Sequence, residues 1–111
     1  MKIVSLKKIP VTTTSHHKTG KKQQMIAPGE IQHLLQFAQA TIEPGEIVAK
    51  HKHADLYEIF FVESGNGVIR INDTEHPIKR DMSITVEPDE YHEVENTGDK
   101  KLTLTYFAIL V

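Results

Sequence analysis

His51-Lys52-His53 is the segment of this chain best suited to chemistry. In an extended strand, residues i and i+2 point the same way, about 6.6–6.8 Å apart along the chain. Two imidazoles at that spacing can converge on one cation, with Lys52 turned to the opposite face. Taken alone, a His-x-His reads more often as two exposed strand histidines than as a ligand pair. Glu58 follows five residues after His53, with the opposite parity. Residues 54–57 must therefore turn or bulge for its carboxylate to join the histidines. His92 comes just after Glu87-Pro88-Asp89, where a different strand could present it.

The wider pattern adds weight. Gly45, His51, His53, Glu58 and Gly65 stand as G-x5-H-x-H-x4-E-x6-G, which resembles the first motif of the cupin family at every position. The second cupin motif, G-x5-P-x-G-x2-H-x3-N, is matched by Asp81, Glu87, Asp89, His92 and Asn96. Its histidine and asparagine are kept. Its glycines and proline are replaced, with Pro88 one place late. Asp89 can still take the left-handed conformation that glycine favours there. A spacer of 15 residues separates the motifs, similar to that of compact cupins.

The resemblance implies an all-β fold, a double-stranded β-helix or jelly-roll barrel. It also implies one divalent transition metal ion (Mn, Fe, Ni, Co, Cu or Zn) held by His51, His53, Glu58 and His92. Three imidazoles and a carboxylate suit several of these metals and leave positions open for water or substrate. The shorter of two family spacings would turn Tyr57 inward instead, but the six residues between Glu58 and Gly65 favour Glu58. The activity implied is a metalloenzyme acting on a small organic molecule, with dioxygenase-, isomerase- or lyase-type chemistry. The alternative is a non-catalytic module that binds or senses a sugar or small acid, since fold does not decide function.

Around the ion, Phe60 and Val62 share the face of Glu58 and are expected to line an apolar pocket. Met82, Ile84 and Tyr106 are assigned to the same lining, with Gln39 entering from the strand before Gly45 and His33 as a further lining candidate. Glu90, Tyr91 and Gln39 are the candidate acid, base or polar catalytic groups. Arg70 opposes Ile69 and Ile71 across the pleat and reads as an outward, solvated residue. His76, before Pro77, reads as an exposed loop residue.

These side chains need strands to position them. Turn signals recur at Ala27-Pro28-Gly29, Glu43-Pro44-Gly45, Ser64-Gly65-Asn66-Gly67, Asn72-Asp73-Thr74, Glu87-Pro88-Asp89 and Asn96-Thr97-Gly98-Asp99, with Val, Ile, Phe, Tyr and Thr between them. That spacing reads as a sandwich or barrel. Met82, Ile84 and Val86 alternate onto one face, as do Leu102, Leu104 and Tyr106. Residues 31–42 fit both a helical and a strand pattern, and the turn at 43–45 favours strand. Residues 12–24, rich in Thr, Ser, His, Lys and Gln, read as a mobile loop or arm. The division expected is 1–30, an N-terminal strand with a polar loop or arm, and 31–111, the barrel. Phe107 to Val111 are apolar on both faces, which calls for a second cover. Either a second subunit, giving a homodimer, or the N-terminal segment could supply it.

Composition narrows the function classes. At 111 residues the chain is read as one domain. Thirteen basic and 15 acidic residues leave a net charge of −2, without the excess of positive charge that a nucleic-acid partner demands. There is no cysteine, so disulfides and thiolate sites are excluded. No run reaches membrane-spanning length and no signal-peptide core is seen, so a cytoplasmic protein handling a small molecule is expected. Seven histidines are many for this length. His16 and His17 sit in the polar stretch and are assigned no role.

Overall fold

Period-two alternation becomes ten strands in the structure, a computed structural model that describes residues 1–13 and 20–111. They are β1 (Thr12–Thr13), β2 (Lys21–Ile26), β3 (Leu34–Ile42), β4 (Ile47–His51), β5 (Leu56–Ser64), β6 (Asn66–Ile71), β7 (Thr74–Lys79), β8 (Ser83–Val86), β9 (His92–Glu95) and β10 (Leu102–Leu110). One short 3-10 turn, Leu6–Lys8, precedes them. The strands form two antiparallel sheets, ordered β1-β2-β3-β10-β5-β8 and β4-β9-β6-β7. This is the all-β jelly-roll architecture expected from the sequence. No helix among the described residues is long and apolar enough to cross a membrane.

The inner faces follow the alternation. Leu56, Glu58, Phe60 and Val62 of β5 point inward, as do Leu102, Leu104, Tyr106 and Ala108 of β10. Residues 31–42 resolve as strand β3, preceded by a turn. Its inner set is Gln36, Ala38, Ala40 and Ile42, so Gln39 stands on the other face. Ile69, Ile78, Val86 and Val94 close the core from the remaining strands.

Local backbone needs explain the turns. Asn72 and Asp73 both adopt positive φ (48° and 68°) between β6 and β7, the two-residue hairpin geometry that matches strand twist. Pro77, in the middle of β7, is tolerated because β7 is an edge strand; His76 beside it is exposed but lies in strand rather than loop. Gly65 (φ 84°) joins β5 to β6, and a Cβ there would collide with the Lys101 carbonyl. Asp81 and Asp89, at the glycine positions of the second motif, both take positive φ (72° and 67°). The replacement therefore preserves the backbone conformation.

The polar stretch differs from expectation. Thr12–Thr13 pairs with Lys21 and Lys22, and Lys21–Ile26 pairs with β3, so residues 21–24 are strand rather than mobile arm. Polar side chains are compatible with this because β2 lies near the sheet's edge, where one face meets water. His16 and His17 lie outside the described residues. On the outer face of the large sheet, Phe37 and Phe107 meet edge-on with centroids 6.5 Å apart. Tyr57, Phe61 and Ile109 remain about 40% exposed there. The first residues lie beside Phe37 of this face, Met1, Ile3 and Val4 lining a shallow pocket with it, while Ile3 itself stays 82% exposed.

Candidate metal centre

His51 closes β4 and pairs directly with His92, the first residue of β9. A one-residue irregularity between Val48 and His51 decides the facing. Val48 pairs with Val94 on the inner side, and simple alternation would put Lys50 inward next. The extra residue swings His51 inward instead and leaves Lys50 outside, the usual effect of a bulge. The His51 and His92 rings lie 4.2 Å apart, and His53 stands 5.1 and 5.7 Å from them. Asp89 donates its backbone N–H to the His53 carbonyl at 2.7 Å, so the turn of the second motif braces a histidine of the first.

Glu58 arrives from the opposite sheet. Between β4 and β5 the chain crosses from one sheet to the other over residues 52–55, which is how opposite parity is reconciled with a common focus. Its Oε1 lies 3.1 Å from His92 Nε2. Tyr57 beside it faces outward. One ligand-type atom from each of His51, His53, Glu58 and His92 lies within 4.8 Å of the others.

The donor set fits a metal ion. At ligand distances of about 2.0–2.2 Å, atoms on opposite sides of one ion stand about 4.4 Å apart, so only slight closure is required. Backbone carbonyls accept from His51 Nδ1 (Ala49, 2.8 Å) and His92 Nδ1 (Glu90, 3.0 Å). A carbonyl can only accept, so these Nδ1 atoms carry hydrogens and the Nε2 atoms face inward, where each could bind an ion in place of a proton. Glu58 is 7% exposed and His92 1% exposed. A carboxylate so deep is costly without positive charge beside it. Burial disfavours the His92 imidazolium, but the Glu58 hydrogen bond and the Glu90 carbonyl outweigh it and raise its pKa. Burial, helped by the Glu58 charge, also pushes the Tyr106 phenol up, so it stays protonated at neutral pH.

The four residues stand at the wall of a cavity of about 270 Å³, at the small end for ligand pockets. Leu35, Ala40, Ile42, Val48, Val94 and Leu104 supply apolar walls, and Phe60 stacks on Tyr106 (5.6 Å) beside the histidines. Of the lining expected from sequence, Phe60 and Tyr106 are placed on the cavity. Val62 lies in the core, where Met82 and Ile84 pack against the buried cluster. His33 is exposed, in a positive-φ turn (70°), and Gln39 faces away. Besides these apolar walls, the polar lining residue that parity reading missed is Gln36, 9% exposed. Placing the bulky Phe37 face outward, and the small Ala38 and Ala40 face inward, would have found it.

Glu90 is turned back on its own loop, its Oε1 accepting from Glu87 N–H at 2.7 Å. Tyr91 faces outward, with the Lys50 and Lys52 ammonium groups 5.3 and 4.7 Å from its ring centre. Neither lines the cavity. Arg70 is outward as expected, but instead of being simply solvated it binds Glu75, Glu93 and Glu95 at 3.0, 3.2 and 2.8 Å.

A Cupin domain family model matches residues 38–109, well over half the chain. The chain belongs to the cupin family. Among relatives of this cupin, an oxalate-binding protein of Thermotoga maritima is 35% identical over 75 residues, 68% of this chain and 62% of the relative. The tetracenomycin polyketide synthase protein TcmJ of Streptomyces glaucescens is 27% identical over 86 residues, 77% of this chain and 58% of its own. The chain thus spans about three-fifths of the length of these curated relatives. Among solved structures, a predicted oxalate decarboxylase from Thermotoga maritima superposes with a TM-score of 0.91 at 26% identity, covering 99% of this chain and 100% of that one. A sugar phosphate isomerase of the cupin superfamily from Silicibacter pomeroyi gives 0.83 at 17% identity, over 99% of this chain and 76% of that one, a likeness of fold.

Proposed function

We propose that this cupin holds one divalent transition metal ion through His51, His53, Glu58 and His92 and acts there, as a metalloenzyme, on a small organic molecule. The observation that carries the reading is the convergence of three imidazoles and a buried carboxylate at the wall of a mostly apolar cavity. When bound, the ion would supply Lewis acidity and open coordination positions for isomerase-, lyase- or dioxygenase-type chemistry. The chain's own contribution is to fix ligand direction through the Ala49 and Glu90 carbonyls, to exclude water with its apolar walls and to keep the Tyr106 hydroxyl protonated beside the site. Elemental analysis of untagged protein, prepared without chelators, tests the metal. The expectation is near one equivalent, lost in His53→Ala; less than a tenth of an equivalent of every transition metal refutes it.

A second reading, a non-catalytic binder of a small acid, is favoured by the name of the Thermotoga oxalate-binding relative. Oxygen consumption and product formation by Fe(II)- and Mn(II)-loaded protein, across a panel of small acids, diketones and phenols, separate the two. Absence of turnover together with a saturable ligand-induced rise in melting temperature selects the binder. The assembly that suits the outer face, where Tyr57, Phe61 and Ile109 are exposed, is a homodimer. Sedimentation equilibrium showing a monomer at tens of micromolar refutes it.

A further inference from the structure

Gln36 sits on the cavity with half of its amide unused. Its Oε1 lies 3.4 Å from the Lys22 ammonium. An ammonium can only donate, so this contact decides which way round the amide stands and turns Nε2 away from Lys22. Gln36 is 9% exposed and lines the cavity, yet no acceptor among the described residues meets its Nε2 hydrogens. Tyr106, also on the cavity and 7% exposed, has no hydrogen-bond partner for its hydroxyl among the described residues. Buried donors are ordinarily satisfied, so two on one cavity point to something that supplies acceptors.

The strand register sets the distance between this corner and the four metal-ligand candidates. Ala108 pairs with Gln36 on one side and with Glu58 on the other. Gln36 and Glu58 therefore stand on one rung, two strand spacings or about 9.5 Å apart at their Cα atoms. Both point inward and both line the cavity, with the buried Ala108 between them on the rung. Tyr106 occupies the next inward position of β10, between Ala38 and Phe60. Gln36, Tyr106 and the four ligand candidates all line the same cavity, so a short molecule within it can reach from the amide to the ligand cluster.

Resting on the metal reading above, we infer that the cavity is a two-point site for a short-chain acid bearing a second oxygen acceptor. One carboxylate of such a ligand reaches the ion. The other end accepts from Gln36 Nε2 and the Tyr106 hydroxyl, over the apolar floor, with Lys22 as the positioning residue behind the amide. Among the described residues no lysine or arginine lines the cavity, so the selectivity inferred is that of the pair of donors.

The test is a calorimetric titration of the protein first with Mn(II), then of the Mn(II)-loaded protein with acetate, malonate, succinate and glutarate. At least one diacid binds tenfold or more tightly than acetate. Gln36→Leu abolishes that advantage while Mn(II) and acetate affinities move less than threefold. Gln36→Glu, which keeps the shape and replaces the donors by a carboxylate, abolishes it too, and serves if the leucine variant folds poorly. Lys22→Met weakens diacid binding about threefold and Lys22→Arg restores it, while neither changes acetate. Diacids binding no better than acetate to the wild type, or as well to both Gln36 variants as to the wild type, overturn the inference and leave the metal reading standing. No Mn(II) binding in the first titration overturns both.

Discussion

Replacing Asn96 with alanine tests how the fold holds its second motif in place. The side chain is fully buried. Its Nδ2 donates to the Ile42 carbonyl and the Lys100 carbonyl, each at 2.8 Å, and its Oδ1 accepts from Gly98 N–H at 2.9 Å. These bonds tie the end of β3 to the loop between β9 and β10. In Asn96→Ala the Ile42 carbonyl is left buried without that donor, at about 1–3 kcal/mol. The other two groups lie nearer solvent, where water takes over, and each costs about 0.5 kcal/mol. Together the loss is about 3 kcal/mol. With an unfolding entropy of about 2.1 cal/mol/K per residue, a chain of 111 residues should melt about 13 °C lower. Urea unfolding and a calorimetric scan, both on metal-free protein, measure it. Asn96→Asp, nearly isosteric, should be at least as unstable at pH 7 because a carboxylate oxygen then faces two carbonyls. A loss under 1 kcal/mol in the alanine variant, or an aspartate variant as stable as wild type, would refute the hydrogen-bond account.

Further expectations come from the same structure. Gly65→Ala should not fold stably, because the added Cβ meets the Lys101 carbonyl as well as an unfavourable positive φ; Gly45→Ala, in open space, should cost only about 1–2 kcal/mol, and equal losses in urea unfolding would contradict this. Asp89→Gly relieves a positive φ at the cost of a freer unfolded chain, so its unfolding free energy should stay within about 1 kcal/mol of wild type. The Tyr106 phenol is raised above its ordinary value. Its stabilising contribution is therefore fully present below about pH 10, the unfolded value, and lost as pH rises beyond it. Tyr106→Phe should lose less stability than wild type between pH 9 and 11, and identical alkaline profiles would remove Tyr106 from the account. Metal at a hundredfold over its dissociation constant should stabilise by about 2.7 kcal/mol, read as a rise in melting temperature that His92→Ala abolishes.

Much of the architecture was legible in sequence because a strand's burial is written in its parity. Leu102, Leu104 and Tyr106, and likewise Ile84 and Val86, could be assigned to one face without coordinates. Parity fails wherever a chain changes sheet or gains a residue. His51 faces inward because of an extra residue after Val48, and Glu58 joins the histidines because residues 52–55 cross between sheets. For β3, both faces carry apolar side chains, so alternation chose Gln39 for the cavity, whereas the folded strand turns Gln36 inward.

The sequence by itself supplied the four ligand candidates, as the residues that match the ligand positions of the two cupin motifs, and the glycines of the first motif. It also foresaw Asp89 in the left-handed region, because aspartate is among the few residues that tolerate it. Only the tertiary structure decided which side chains share the cavity with those ligands. Glu90 turned out to cap its own turn, Tyr91 to face two lysines outside, and Gln36 to stand across Ala108 from Glu58. The physical reason is that a cavity's lining is set by which strands pair and in what register, a long-range choice that no single segment encodes.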